Sequence, residues 1–138
     1  MYYFLIEDFQ KLSKQIADVN NRIAEIGREM GESCREGAET FHDNFAYEDG
    51  ERQQYMLSTQ LRKLIGIRNS AHIVPAGPDQ VASIGKIVTF RDHTNTDHKH
   101  KIGSYLTFNE EGDDFVISYN SPLARLIVGG QKGRYNTW

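Results

Sequence analysis

Carboxylates are the side chains best placed to do chemistry in this sequence. Residues 31–51 carry Glu32, Glu36, Glu39, Asp43, Glu48, Asp49 and Glu51 against the single base Arg35. Asp43, Glu48, Asp49 and Glu51 fall near the start of a predicted helix, where the helix dipole favours acids and no function is needed to explain them. Glu32, Glu36 and Glu39 fall at the end of the preceding helix, where the dipole disfavours them. Glu32 and Glu36 also stand four apart and repel one another. A local rule broken without evident compensation points to function; a merely solvated acidic surface is the competing reading. Two other groups carry less. His98 and His100 lie on one face of a predicted strand, with His93 across the turn, but no Cys and no clear carboxylate companion support a metal site there. Cys34 has no base in its sequence context and reads as a passive thiol. Gly129-Gly130-Gln131-Lys132-Gly133 lacks the spacing and the following hydroxyl of a phosphate-binding loop.

The elements that must position the acids are two helices. Phe9, Leu12, Ile16, Val19, Ile23, Ile26 and Met30 step alternately by three and four, which is the a/d seam of a coiled coil. Gln54, Leu57, Leu61, Leu64, Arg68 and Ala71 make a second such series, with Tyr47 one heptad before Gln54. Neither seam can stay exposed, and a short connection makes the helices antiparallel neighbours. Thr40-Phe41-His42-Asp43 has the form of a capping box, with Thr40 as the cap and Asp43 as its acid. The first helix is thus expected over about residues 8–38 and the second over about 41–72. At 1.5 Å per residue the arm is on the order of 45 Å long. Ser33, Gly37 and Gly50 replace large apolar residues toward the turn, so a stiff stem with a looser tip is expected. On periodicity alone, such a hairpin is most simply an interaction arm.

The whole chain narrows the classes further. It has 138 residues, 38% hydrophobic and 25% charged, enough for one ordinary domain or two small ones and a modest core. No apolar run approaches the roughly 20 residues of a membrane span. The apolar start Met1-Tyr2-Tyr3-Phe4-Leu5-Ile6 is too short for a signal peptide and lacks its basic residues. The lone Cys34 excludes an internal disulfide and fits a cytoplasmic location. A net charge of -3 argues against a plain nucleic-acid binder.

Pro75-Ala76-Gly77-Pro78 reads as a linker, dividing a hairpin at 1–75 from a second domain at 76–138. Strands are expected at Ile84–Arg91, at His98–Phe108 with a break at Gly103, and at Phe115–Ser118, separated by turns at 92–97 and 110–114. Ser121 reads as an N-cap with Pro122 at the first helical position, opening a short helix through Ile127 that Gly129-Gly130 ends. Residues 133–138 open a last strand. The expected architecture is α+β: a coiled-coil hairpin, then a small antiparallel sheet packed on one short helix.

Three stretches, in this order and spacing, resemble the Gre-type bacterial transcription elongation (transcript cleavage) factors. Asp43-Asn44-Phe45-Ala46-Tyr47, followed by Glu51-Arg52-Gln53-Gln54, resembles the family's tip motif, in which an acid and an Asn precede a Tyr three positions after the Asn. Ile84-Gly85-Lys86-Ile87-Val88 resembles the opening strand of its C-terminal domain. Ile117-Ser118-Tyr119-Asn120-Ser121-Pro122-Leu123-Ala124, with Gly129 downstream, resembles that domain's most recognisable signature. The resemblance covers nearly the whole chain. It implies an FKBP-like C-terminal domain docking at the rim of the RNA polymerase secondary channel, and a coiled coil entering that channel. It also implies that two tip acids hold a Mg2+ shared with the polymerase, which then cleaves the 3′ end of backtracked RNA. The factor would be no enzyme itself; it would lend carboxylates to one.

Carried over residue by residue, Asp43 matches the second tip acid, beside Asn44. The first acid's position holds Thr40, and the adjacent Glu39 is the substitute, with Glu36 the weaker choice. Asp43 also keeps its reading as the capping-box acid of Thr40. Asn44, Tyr47, Ser121, Pro122 and Arg125 are the implied partner contacts, and Phe41 and His42 at the tip would face RNA or the polymerase, or else staple the turn. The family's acidic stretch near Gly103 is replaced here by Ser104-Tyr105-Leu106-Thr107. The family also continues with a further turn and strand past the position of Trp138. Stopping there would leave an exposed sheet edge, so three expectations stay open: the chain is truncated, the domain is minimal, or a partner covers the edge; the chain is expected to be a monomer, with that edge as the route to a dimer. Thr40 keeps a second version open, a polymerase-binding regulator or inhibitor without cleavage activity. A generic coiled-coil interaction module is the alternative of a different class.

Overall fold

The structure, a computed structural model, describes residues 1–36, 45–78 and 80–130. In chain order the elements are β1 (Tyr2–Phe4), α1 (Ile6–Glu36), α2 (Phe45–Asn69), β2 (Ala71–Ile73), β3 (Ile87–Arg91), β4 (Asp97–Gly103), β5 (Val116–Ser118) and α3 (Pro122–Ile127). They form an α+β arrangement of a long helical pair followed by a small sheet and a short helix. Two units divide the chain. One is Leu12–Asn69; the other joins Met1–Lys11 to the chain from Ser70 onward. No described helix is long and apolar enough to cross a membrane.

In the helical unit the a/d seam of α1 faces inward. Leu12, Ile16, Val19, Ile26 and Met30 are all buried, and Ile23 is half-buried. Each buried aliphatic side chain contributes about 1.5–3 kcal/mol relative to exposure. On α2, Leu64 and Ile67 are buried while Gln54, Leu57 and Leu61 are half-buried. The helices run antiparallel, because partners descend α1 as α2 ascends. A Cβ at Gly50 would lie 2.5 Å from Met30 Cγ and 3.6 Å from Ile26. One turn later the Gln54 side-chain amide donates to the Ile23 carbonyl at 3.2 Å. Gly50 is therefore a close-approach position, where the missing side chain leaves room for Met30.

The second helix ends sooner than its heptads predict. Ser70 is a turn, and Ala71–Ile73 leaves the helix to pair in parallel with β1, in the register Tyr2↔Ala71, Tyr3↔His72 and Phe4↔Ile73. Tertiary pairing overrides the local period here. The expected helix start near 41 and the capping box lie outside the described residues. The far edge of β1 is closed by side chains and loop backbone. Tyr3 N–H donates to the Tyr119 hydroxyl at 3.1 Å, Tyr105 N–H donates to the Tyr3 carbonyl at 2.9 Å, and Leu5 N–H donates to Ser104 Oγ at 2.8 Å.

The three-stranded sheet has the order β3-β4-β5. β3 and β4 pair antiparallel, with Val88 opposite His100 and Phe90 opposite His98. β5, however, runs parallel to β4, in the register Lys101↔Val116, Ile102↔Ile117 and Gly103↔Ser118. The sheet is mixed, which corrects the antiparallel expectation. The reason is the long connection over 104–115, enough for a crossover, where a tight turn would have made a hairpin. That connection also closes the outer side of β5. The Asn109 amide donates to the Val116 carbonyl at 2.7 Å and accepts from Val116 N–H at 3.1 Å, standing in for a strand neighbour.

Two boundaries follow from glycine. β3 starts at Ile87 and not at Ile84, because Gly85 turns with φ of +88°. β4 ends at Gly103, the place of the expected break, where a Cβ would come within 2.6 Å of Val116 Cγ1, and the expected continuation over residues 104–108 is not a strand. α3 forms as its sequence predicts. Ser121 Oγ accepts from Ala124 N–H at 3.2 Å, Pro122 occupies the first turn, and Ala124 and Ile127 are buried. Gly129, at φ of +87°, leaves the helix and donates to the Ala82 carbonyl at 2.7 Å. The last strand expected at 133–138 lies outside the described residues.

Candidate functional site

The carboxylates nearest the junction of the two helices divide into paired and open ones. Asp49 is taken up by its own helix: Arg52 and Gln53 both donate to it, the Gln53 bond measuring 2.7 Å. These two hydrogen bonds, Arg52 first, hold its carboxyl below the usual range. Glu25 and Glu29 share Arg22, at 3.1 and 3.6 Å. Glu32 near the end of α1, and Glu48 and Glu51 in the first turns of α2, are exposed. An acidic surface thus brackets residues 37–44. The expected metal and catalytic pair Asp43 and Glu39, together with Thr40, Phe41, His42 and Asn44, lies outside the described residues. Tyr47 is half-buried on α2.

The expected contacts on the sheet unit are brought together around α3. Most of the signature there serves the fold. Tyr119 N–H donates to the Gly103 carbonyl, its hydroxyl caps β1, and Ser121 caps α3. Asn120 accepts from Arg125 Nη2 at 2.7 Å, which fixes that guanidinium over the turn. What faces outward is Pro122, Arg125 and two residues that sequence reasoning missed, Leu126 and Val128, which are 41% and 44% exposed. Their signal was present. With Ala124 and Ile127 on the inward side of so short a helix, 125 and 126 have to point out.

The histidines are arranged differently from expectation. His98 does have a carboxylate companion: Asp92 Oδ2 is 2.7 Å from His98 Nε2. The other oxygen of Asp92 accepts from the Thr94 hydroxyl and from the amides of Thr94 and Thr96, at 2.6–3.0 Å. The Thr94 hydroxyl, then His98 and the Thr96 amide, hold the Asp92 carboxyl well below the usual carboxylate range. His98 and His100 share one face, as the alternation predicts, both stacked on Phe90 with ring centroids at 5.2 and 6.2 Å. His100 Nδ1 lies 3.1 Å from the carbonyls of Asp114 and Phe115. Among the described residues no group of three or more His, Cys, Asp or Glu side chains could hold a metal ion. Asp92 organises the β3–β4 turn.

No family model matches the chain. No curated protein matches it either. Solved structures are similar to it, three of them as follows. The transcription factor Gfh1 is 18% identical, covering 92% of this chain and 81% of its own, with a TM-score of 0.49. The GreA factor homolog 1 (Gfh1) protein of Thermus thermophilus is 18% identical over 97% of this chain and 86% of its own, with a TM-score of 0.44. Thermus aquaticus Gfh1 is 17% identical over 94% of this chain and 83% of its own, with a TM-score of 0.48.

Proposed function

We propose that this chain is a transcription elongation factor of Gre type, which binds RNA polymerase through its secondary channel and promotes cleavage of backtracked RNA. One observation carries the reading. An antiparallel helical pair brackets an acid-rich segment containing Asp43-Asn44…Tyr47, and the same chain continues into the strand, turn and capped helix of Ile117–Ala124. A stiff stem is what a chain needs to carry a few carboxylates deep into a partner. In this reading Asp43 and Glu39 supply the oxygen donors, and α3 with Arg125 contributes to docking. Mg2+ suits such a donor set, since it takes one or two carboxylates plus waters and substrate oxygens, and it would supply the charge that phosphodiester hydrolysis needs. The factor contributes carboxylates and position, and the polymerase contributes the rest of the site. A cytoplasmic location follows from the same reading.

Thr40 favours a second version, because a hydroxyl is a poorer anchor for a hard cation than a carboxylate. In that version the hairpin occupies the channel without stimulating cleavage and acts as a regulator. Two variants separate the versions. Asp43→Asn is expected to abolish cleavage stimulation while polymerase affinity stays within about twofold, and retained cleavage would remove Asp43 from the assignment. Thr40→Asp is expected to raise cleavage; no gain would mean that Glu39 already supplies the second carboxylate or that the tip never reaches the metal.

A further inference from the structure

The helical pair carries a polar residue inside its seam. The α1 side, Leu12, Ile16, Val19, Ile23, Ile26 and Met30, is wholly apolar, while the α2 side runs Gln54, Leu57, Leu61 and Leu64. Gln54 is half-buried, and its side-chain amide donates across the pair to the Ile23 carbonyl at 3.2 Å. Among the described residues it is the one side-chain hydrogen bond that joins the two helices. In a helix that carbonyl already accepts from the amide four residues on, so Gln54 takes its second lone pair. Gly27 keeps the approach open, since a Cβ there would lie 3.1 Å from Gln54 Nε2. Gly50 does the reverse on α2, where a Cβ would lie 2.5 Å from Met30 Cγ and 2.9 Å from its Sδ. Glycine is among the poorest helix formers, yet each of these two stands opposite one particular side chain of the other helix. Gln54 of α2 closes on Gly27 of α1, and Met30 of α1 closes on Gly50 of α2. The two contacts stand about one helical turn apart, on the order of 5 Å along the axis.

We propose that Gln54 is a positioning residue. With Gly27, and with the Met30–Gly50 contact beside it, Gln54 locks the register of α2 against α1, and so holds in one place the helix ends that flank residues 37–44. The positioning role rests on the polymerase reading above; the lock itself does not. An aliphatic seam is weak at this task. Leu57, Leu61 and Leu64 are alike, and a leucine fits one apolar neighbour on α1 almost as well as the next. A polar group at one seam position discriminates, because a slip or rotation of the helices strands its hydrogen bond among apolar groups. The β1–β2 pairing joins the chain entering α1 to the chain leaving α2. Gln54, however, stands about 22 Å along the helix from its last residue, Asn69. Over that length small errors of twist and slide accumulate. The demand at the far end is strict, since groups that build a reactive site must be held to within about half an ångström. A hydrogen bond in the seam lowers stability relative to an aliphatic residue and selects one register.

The test reads the separation of the helices directly. Spin labels are placed at Arg28→Cys and Glu51→Cys, both exposed positions, in the full chain carrying Cys34→Ser, and their distance is followed by double electron–electron resonance. With Gln54 in place, one narrow distance distribution is expected. Gln54→Leu is expected to keep or raise the melting temperature and yet to broaden that distribution, or to shift it by about 5 Å, one helical turn. In transcript cleavage the same substitution, without labels, is expected to lower stimulation about tenfold or more while polymerase affinity stays within about twofold. Gly27→Ala should broaden the distribution too, although alanine favours the helix, and the two substitutions together should add little to either alone. A merely structural residue would lower the melting temperature and leave the distances unchanged, and that result overturns the lock. Altered distances with undiminished cleavage overturn the positioning role. A wild type that does not stimulate cleavage overturns the cleavage reading and the positioning role with it, while the distances, measured without polymerase, still decide whether the lock exists.

Discussion

Ser104 shows how one side chain can complete a helix from a distance. α1 begins at Ile6, so Leu5 stands at its cap position and has no side chain that could accept a hydrogen bond. Ser104 Oγ accepts from Leu5 N–H at 2.8 Å and donates to Asp8 Oδ2 at 2.6 Å. The two ends of a capping box are thus joined through a hydroxyl from elsewhere in the same unit. Ser104 is fully buried. Ser104→Ala is expected to cost about 1–3 kcal/mol, the penalty of a buried donor left without its partner, read as a lower urea midpoint. Ser104→Thr should recover part of it if the added methyl fits. Neither the relay nor the Asp92–His98 pair was legible in the sequence, since both depend on loop geometry that no periodicity encodes. Asp92 carries a prediction of its own. Its carboxyl is held below the unfolded value, so it favours the folded turn at neutral pH and above about 4, the ordinary range of an Asp carboxyl. That contribution declines as the pH falls below that range toward the lower folded value. Protection of the Thr94 and Thr96 amides, read as their exchange relative to an unprotected chain at the same pH, should therefore fall under acid, and Asp92→Asn should abolish that pH dependence.

Elements governed by local repetition were the readable ones. The seam of α1, with Leu12, Ile16, Val19, Ile26 and Met30, appears at the positions that the three-four steps give. So does α3, whose cap, proline and terminal glycine are all local signals. The errors share one physical origin. Ala71 continued the heptads of α2, yet β2 answers to β1 at the start of the chain. β5 looked like the third strand of a meander, yet it pairs in parallel after a crossover. In each case a partner distant in sequence decided the outcome. Ile67, buried at 6% exposure, was passed over because a strict heptad placed Arg68 in the seam. Ile67 stands three residues after the buried Leu64 and so neighbours it on the helix surface. The seam also explains Gly50. Gly50→Leu would drive a side chain into Met30 Cγ and Sδ, at 2.5 and 2.9 Å from the Cβ position. A loss of about 1–3 kcal/mol is expected, as for other overpacked sites, measured by chemical denaturation. Pairing it with Met30→Ala should restore part of the loss, and no recovery would mean that the strain lies elsewhere.

At the scale of the molecule, chain order carries the functional account. The helical unit spans Leu12–Asn69, and the sheet unit is built from both ends of the chain, so α1 starts in one unit and runs through the other. A cut at residue 75, suggested by Pro75-Ala76-Gly77-Pro78, would sever β1 and β2 from β3, β4 and β5 of the same unit. The resemblance of Asp43-Asn44…Tyr47 and Ile117–Ala124 to Gre-type factors was readable because both stretches are local. The surface around α3 was only half readable, since Tyr119 and Ser121 prove to serve the fold while Leu126 and Val128 face outward. The central claim is that this chain acts on RNA polymerase by way of its acidic tip. It is tested most directly by adding the purified protein to backtracked elongation complexes with Mg2+, and by following transcript length and polymerase binding together. The account predicts shortened RNA that depends on both Mg2+ and Asp43. Binding without cleavage would contradict the cleavage role and favour the regulator, and no binding at all would contradict the account as a whole.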